Sequence, residues 1–437
     1  MKRLLLALIL VMVAISAVVV TLNLRGEDPV YEIGAADVPT LDAGVRNDGT
    51  TRGQVERGAY LARAGNCAGC HTRPGEAPYA GGPGIDTPFG TVFATNLTPD
   101  RETGIGEWSA SHFWRAMHNG RSRDGRLLYP VFPYPNFTRI ERQDSDAIYA
   151  YLRTLPAVSA PHRADTLRFP YNTQVALAVW RALFFQPGGE EPRADRSAQW
   201  NRGAYLVNGL GHCNACHSNR NLLGATTGTL DLSGGLIPVQ NWYAPSLAAP
   251  DEAGVAQWQT RDVVDLLGTG VSSRGSALGP MADVVFHSTQ YLSVPDLEAI
   301  AVFLKALPQT PAQPSPSAES SAGRLAGTLE QGAKVYEAHC AHCHGDTGQG
   351  IPKAYPPLAG NRAVLMDPPA NLLHIVLGGG FAPATAGNPR PFGMPPYATT
   401  LSDSEIAAVL TMIRNSWGNS ATAITTVDVH KYRTRGG

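Results

Sequence analysis

The sequence predicts an all-α protein in which three small helical units follow an N-terminal apolar helix. Three observations carry that expectation. Six cysteines fall in three identical patterns, a helix-forming stretch recurs ahead of each pattern, and the chain opens on an apolar run headed by basic residues. Its 437 residues suffice for about three domains of ordinary size. Hydrophobic residues make up 43%, enough for a packed core in each domain, while 46 Gly and 34 Pro imply much loop. Only 16% of residues are charged and the net charge is −1, which argues against a nucleic-acid partner. No polybasic run marks a lipid-headgroup patch.

The opening helix comes first. Lys2 and Arg3 precede an unbroken apolar run from Leu4 to Val20, extended by Thr21 and Leu22 before Arg25. The run approaches bilayer-spanning length, and its basic head places the N-terminus inside. A cleaved signal would have a shorter apolar stretch and a small-residue cleavage site. Ala14-Ile15-Ser16-Ala17 is a weak site of that kind, so an uncleaved anchor over residues 1–25 is the preferred reading and a signal the alternative. Either one exports everything after Arg25. No later segment is long and apolar enough to span.

The cysteines carry the chemistry. They occur as Cys67-Ala-Gly-Cys70-His71, Cys213-Asn-Ala-Cys216-His217 and Cys340-Ala-His-Cys343-His344. Two thiols so spaced add across the vinyl groups of one haem, and the adjacent His becomes the proximal iron ligand. Disulfides, zinc binding or thiol exchange use cysteine pairs too, but none of them explains a His directly after every pair. One such pattern is expected by chance roughly 0.002 times in a chain of this composition. The reading is therefore a c-type cytochrome with three covalently bound haem c groups. No cysteine is left over for a bridge.

Each motif is embedded in a larger repeat. Arg57-Gly58-Ala59-Tyr60-Leu61, Arg202-Gly203-Ala204-Tyr205-Leu206 and Gln331-Gly332-Ala333-Lys334-Val335-Tyr336 precede the three motifs, each as a short helix. Apolar periods near 3.6 predict a closing helix for each unit, at Asp146 to Leu155, Leu297 to Leu307 and Glu405 to Trp417. First and last helices are expected to cross at the Gly, which admits close backbone approach. Trp108 and Trp258 each open a further helix ending at Asn119-Gly120 or Thr269-Gly270. The expected domains are 52–156, 197–308 and 328–420, with a helical linker over 157–196, a flexible linker over 309–327 and a tail over 421–437. Within the last linker, Gln309 to Gly323 is rich in Pro, Ser, Ala and Gln and reads as a tether. Val175 to Phe185 reads as an apolar helix packing across the first two domains, or else docking on a partner subunit or the membrane surface.

Low-spin electron-transfer haems take a second axial ligand, commonly Met, which raises the potential. Seven methionines are present, two of them (Met1 and Met12) in the leader. Met394, in Phe392-Gly393-Met394-Pro395-Pro396, and Met281, in Gly279-Pro280-Met281-Ala282, each sit ahead of a closing helix and are assigned to the third and second haems. Met412 and Met366 read as core packing. Aligning the first two repeats sets Met281 against Val131 or Phe132, so the first haem lacks the corresponding Met. Met117 is its leading candidate, with His118 or an open iron as alternatives.

These residues resemble a known family, the triple-haem cytochrome c subunits of membrane-bound bacterial dehydrogenases. The resemblance rests on the order of the three motifs, Trp200 to Leu206, Gly211 to His217 and Gly279 to Met281, and covers nearly the whole chain after the anchor. It implies three tandem class I cytochrome c domains on the periplasmic side of the cytoplasmic membrane. The implied role relays electrons from a catalytic dehydrogenase subunit to ubiquinone or a terminal oxidase, with no substrate chemistry in this chain. Members paired with quinoprotein alcohol or flavoprotein gluconate dehydrogenases typically show Tyr-Pro-Ala-Met-Pro-Tyr. Here Tyr129-Pro130-Val131-Phe132-Pro133-Tyr134 stands instead, a form more like the subunits of molybdopterin dehydrogenases acting on nicotinate, isoquinoline or aldehydes. That favours a molybdopterin partner over a quinoprotein or flavoprotein one. A stand-alone haem enzyme, such as a peroxidase or thiosulfate oxidoreductase, is the alternative of another class, supported only by the missing Met.

Overall fold

The computed structural model describes residues 2–26, 49–228, 230–311 and 322–434. They fall into two compact units, Met1–Arg196 with Ala204–Ala215 and Arg220–Leu230, and Ser197–Gly203 with Cys216–Asn219 and Asp231–Gly437. The division passes through the second cysteine motif, leaving Cys213 in the first unit and Cys216 and His217 in the second.

The first unit contains α1 (Lys2–Asn23), α2 (Gly49–Ala64), α3 (Ala110–Asn119), α4 (Arg142–Arg153) and α5 (Gln174–Phe184). α3 begins two residues after Trp108 because the Ser109 hydroxyl accepts from the His112 N–H and caps the first turn. It stops at Gly120, which adopts a left-handed φ of 59° that a side chain would resist. α4 starts four residues before the expected Asp146, since Arg142 pairs with Asp146 one turn on. α2 is also longer than the short helix expected, and its Gly58 lies against α4. A Cβ on Gly58 would fall 1.9 Å from the Ala147 carbonyl oxygen, so only glycine allows the crossing.

α6 (Ala198–Tyr205) runs from the second unit into the first and is followed by a π-helical turn, Leu206–Leu210. Gly203, in the second unit, repeats the crossing: its Cβ would fall 2.0 Å from the Ala299 carbonyl oxygen. The second unit continues with α7 (Thr260–Thr269), α8 (Pro280–His287), α9 (Val294–Lys305), α10 (Ala322–His339), α11 (Ala370–Gly378), α12 (Asp403–Arg414) and α13 (Thr426–Arg433). Gly332 on α10 meets α12 in the same way, 2.3 Å from the Ala408 carbonyl oxygen.

The third residue of each closing helix is acidic, and its use differs. Asp144 bonds Arg57 (2.7 Å) and Asp296 bonds Arg202 (2.7 Å) across their crossings. In the third repeat Gln331 stands where Arg57 and Arg202 stand in the others, and Glu405 completes a capping box with Ser402. In the first unit Tyr205 adds its hydroxyl to Asp144 (2.8 Å). Burial and that carboxylate push the tyrosine's pKa up, so it donates.

Two features depart from expectation. Among the described residues, four two-stranded antiparallel hairpins interrupt the helices, at 84–93, 235–244, 271–276 and 380–394. The anticipated tail is instead structured through residue 434: α13 packs on α12 and α11 and buries Ile424, Val429 and Tyr432. Arg433 locks it, donating to Asp403 (2.6 Å) and to the Leu401 carbonyl (2.9 Å). Of the anticipated tether, residues 312–321 lie outside the described residues.

Candidate haem-attachment sites

At the first motif, α2 ends at Ala64 and Asn66 turns the chain through a left-handed φ of 51° into the helical turn Cys67–His71. The His71 Nδ1 lies 2.7 Å from the Thr95 carbonyl oxygen. A carbonyl only accepts, so the ring proton sits on Nδ1 and Nε2 keeps the lone pair a metal needs. Gly82 permits the packing, because a Cβ there would lie 1.7 Å from the Cys70 carbonyl oxygen. Cys67 packs against the core of Leu61, Tyr79, Phe113, Ile148 and Leu210, and burial pushes its thiol up to about 12.

At the second motif the π-helical turn is closed by the Gly211 N–H donating to the Leu206 carbonyl (2.7 Å), and Cys213–Ala215 form a 3-10 turn. His217 Nδ1 lies 2.7 Å from the Pro245 carbonyl oxygen. At the third, α10 ends directly before Cys340, Ala341–His344 form a short turn, and His344 Nδ1 lies 3.1 Å from the Pro356 carbonyl oxygen. Burial lowers the pKa of all three imidazoles, favouring the neutral form that ligates. None of the six cysteines is in a disulfide. Among the described residues, no group of three or more His, Cys, Asp or Glu is arranged to hold a bare metal ion. Paired thiols beside an oriented imidazole fit a covalently held haem, and do not fit zinc.

The methionines separate. Met394 is half-buried, paired through its backbone with Gly380 in a hairpin, and packs on the core that also receives Cys340. Met281 is half-buried in the first turn of α8, after Gly279, whose φ of 55° sets it against the Trp242 ring. Met117 is 4% exposed in the core that takes Cys67. His118 stacks on Trp114 at 4.3 Å. Phe132, where a methionine was sought, packs on Phe137 at 5.4 Å. Met412 packs on the core of Val335, Tyr336, Leu373 and Leu410, as expected.

The sites have neighbours that periodicity did not reveal. A Cβ on Gly65 would lie 3.4 Å from Leu210 Cδ2 and 3.5 Å from Cys67 Sγ, so the stretch before Cys213 reaches the first motif. The Asn136 amide donates to the Asn208 carbonyl (2.8 Å) and to the Asn214 side chain (2.6 Å), between Cys213 and Cys216 in sequence. In the second unit, the Asn371 side chain accepts from the Tyr243 N–H (2.8 Å) and donates to the Tyr243 carbonyl (2.7 Å). Tyr243 lies two residues before the proline that orients His217. His374 stacks on Trp242 at 4.7 Å. No local signal marks any of these pairs, or the three carbonyls, which lie 24, 28 and 12 residues after their histidines (95−71, 245−217, 356−344).

Comparison with known proteins agrees with this chemistry. The family model described as cytochrome c matches residues 55–156 and 329–417. The cytochrome c subunit of the quinone alcohol dehydrogenase of Gluconobacter oxydans is 37% identical, over 87% of this chain and 82% of its own length. The cytochrome c subunit of gluconate 2-dehydrogenase from Pantoea cypripedii is 36% identical, over 90% and 92%. A nicotinate dehydrogenase subunit from Pseudomonas putida is 44% identical over 83% of this chain, which spans 30% of that longer relative. With cysteine pairs and oriented histidines of the kind that hold haem c, and relatives aligned over most of their length, the chain belongs to the electron-transferring cytochrome c subunits of dehydrogenases.

Proposed function

We propose that this chain carries three haem c groups, in three tandem cytochrome c domains, and relays electrons from a molybdopterin dehydrogenase partner to the respiratory chain. Cys67 and Cys70, Cys213 and Cys216, and Cys340 and Cys343 hold the three groups by thioether bonds, with His71, His217 and His344 as proximal ligands. Bound haem supplies the one-electron couple. The chain's part is to fix each imidazole through a backbone carbonyl, to surround the sites with apolar side chains, and to supply Met281 and Met394 as second ligands. Met117 serves the first haem, since it is buried in the core that takes Cys67. The observation that carries the reading is the same Nδ1-to-carbonyl bond behind all three Cys-x-x-Cys-His motifs.

Two points support this partner: Phe132 stands where the resembled quinoprotein- and flavoprotein-paired subunits typically carry a methionine, and a nicotinate dehydrogenase subunit is 44% identical. The exit is ubiquinone or a terminal oxidase, reached from the periplasmic side of the cytoplasmic membrane with α1 as anchor. A partner of the quinone alcohol dehydrogenase kind is the second reading, favoured by matches covering 82–84% of those relatives.

The test uses the native complex. Mass spectrometry of the chain is expected to show three added porphyrins, one lost on replacing Cys67 and Cys70 by Ser. Adding the partner's substrate is expected to reduce all three haems. Fewer than three porphyrins, or a haem that stays oxidised, ends the relay. Carbon monoxide binding by the reduced first haem would reject Met117 and reopen a haem enzyme.

A further inference from the structure

The end of α1 is built into the first unit by buried polar groups. Asn23 is 6% exposed; its amide donates to the Val19 and Ala178 carbonyls (2.9 Å each) and its side-chain oxygen accepts from Arg181 Nε (3.0 Å). Arg181 is 2% exposed, lies over the rings of Tyr134 and Phe185, and also donates to the Asn119 carbonyl. Arg121 donates to the Asn23 carbonyl (3.0 Å) and Asn119 to the Gly26 carbonyl (2.8 Å). The remainder of α1 is the opposite: Leu4, Leu8, Met12, Ile15 and Val18 are 54–78% exposed, covered by none of the described residues. Its 22 residues span about 33 Å, the thickness of a bilayer's hydrocarbon core.

α5 carries Ala178 and Arg181 of that clasp. It turns Leu177 and Arg181 inward, while Val175, Val179 and Leu183, spaced one turn apart, are 75%, 42% and 63% exposed. Leu223, whose carbonyl accepts from Trp180 Nε1 (3.0 Å), and Leu222 add exposed apolar surface beside it. The stripe holds no exposed charge.

We propose that α1 is retained and that its clasp seats the Val175–Val179–Leu183 stripe of α5 in the surface of the same bilayer. The argument is continuity. A helix of bilayer-spanning length, left bare by the described residues over most of its surface, ends in hydrogen-bonded contact with α5, so α5 lies at the depth where α1 leaves the hydrocarbon. An apolar stripe held there is covered by acyl chains and headgroups, as an interfacial helix is. The first unit is thus seated on the membrane and does not hang from it. The inference rests on the anchor reading of α1 and is independent of the number of haems.

The full-length holoprotein, purified from membranes and placed in phosphatidylcholine nanodiscs containing a photoactivatable acyl chain, provides the test. Mass spectrometry is expected to find the α1 sequence in the mature chain, with lipid adducts on α1 and on the 169–184 peptide. In the variant V175E/V179E/L183E, adducts on 169–184 are expected to be lost and those on α1 kept. Asn23→Ala, which keeps the stripe, is expected to weaken labelling of 169–184 alone. A mature chain lacking α1 would overturn the anchor and the seat together. Labelling of α1 without 169–184 in the native protein would overturn the seat only, and assign the stripe to a partner subunit or to water. The native labelling decides the matter even where a variant fails to fold.

Discussion

Single residues set the chemistry by choosing which atom stays available. At His71, His217 and His344 a carbonyl oxygen takes the Nδ1 proton, leaving Nε2 as the only ring atom able to ligate. His374 shows the same sensitivity outside the haem sites. It stacks on Trp242, meets the edge of Tyr432 and bonds the Asn241 carbonyl (3.2 Å), and burial lowers its pKa below the ordinary 6.5. Between that lowered value and 6.5, the unfolded chain binds more protons than the folded one. The stabilisation from keeping this ring neutral is therefore complete above about pH 6.5 and fades as pH falls toward the folded value. His374→Phe preserves a stacked ring, so its melting temperature is expected to drop less on acidification than that of the native protein. An unchanged slope in thermal unfolding would remove His374 from the account.

Elements are constrained by backbone contact more than by side-chain fit. At the three crossings, glycine lets one helix rest on the carbonyl oxygens of another, where a methyl group has no room. Gly203→Ala is expected to destabilise the protein by about 1–3 kcal/mol, because the clashing atom is backbone and cannot rotate aside. A lowered denaturation midpoint with unchanged denaturant sensitivity checks this; an unchanged midpoint would mean α6 and α9 can slide apart freely. The same comparison explains the π-helical turn. The crossing glycine and the first cysteine are eight positions apart in the third repeat (332 to 340), nine in the first (58 to 67) and ten in the second (203 to 213). Leu206–Leu210 widen into a π turn in the repeat with the longest interval, consistent with an added residue accommodated without breaking the helix. That irregularity is foreshadowed by the spacing, though its form is not.

Within each unit, neighbouring motifs are connected through ordinary packing. Leu210 reaches the Gly65–Cys67 stretch in the first unit, and Asn371 holds the Tyr243 backbone in the second. The third repeat, expected to follow a flexible tether, is joined to the second by this amide. Arg362 adds contacts to the Pro250 and Gly254 carbonyls (2.6 and 2.8 Å). On the proposed three-haem relay, Asn371→Ala, which removes two hydrogen bonds, is expected to slow electron arrival at the third haem while leaving its potential unchanged. Stopped-flow reduction of the native complex, with a redox titration alongside, reads both quantities. Unaltered kinetics would show that the path does not use this contact.

What the chain order alone determined is covalent or local. Cysteine pairs with an adjoining histidine, a glycine ahead of each pair, helix-ending glycines at 120 and 270, and an apolar run at the start all act over a few residues. They are legible because their chemistry needs that spacing. Tertiary structure alone decided which carbonyl orients each histidine, how residues 421–434 fold back, and how Arg181 reaches Asn23 across 158 positions and Asn371 reaches Tyr243 across 128. Such partners have no preferred offset, since a hydrogen bond depends on position in space and the chain can bring its ends there by many routes.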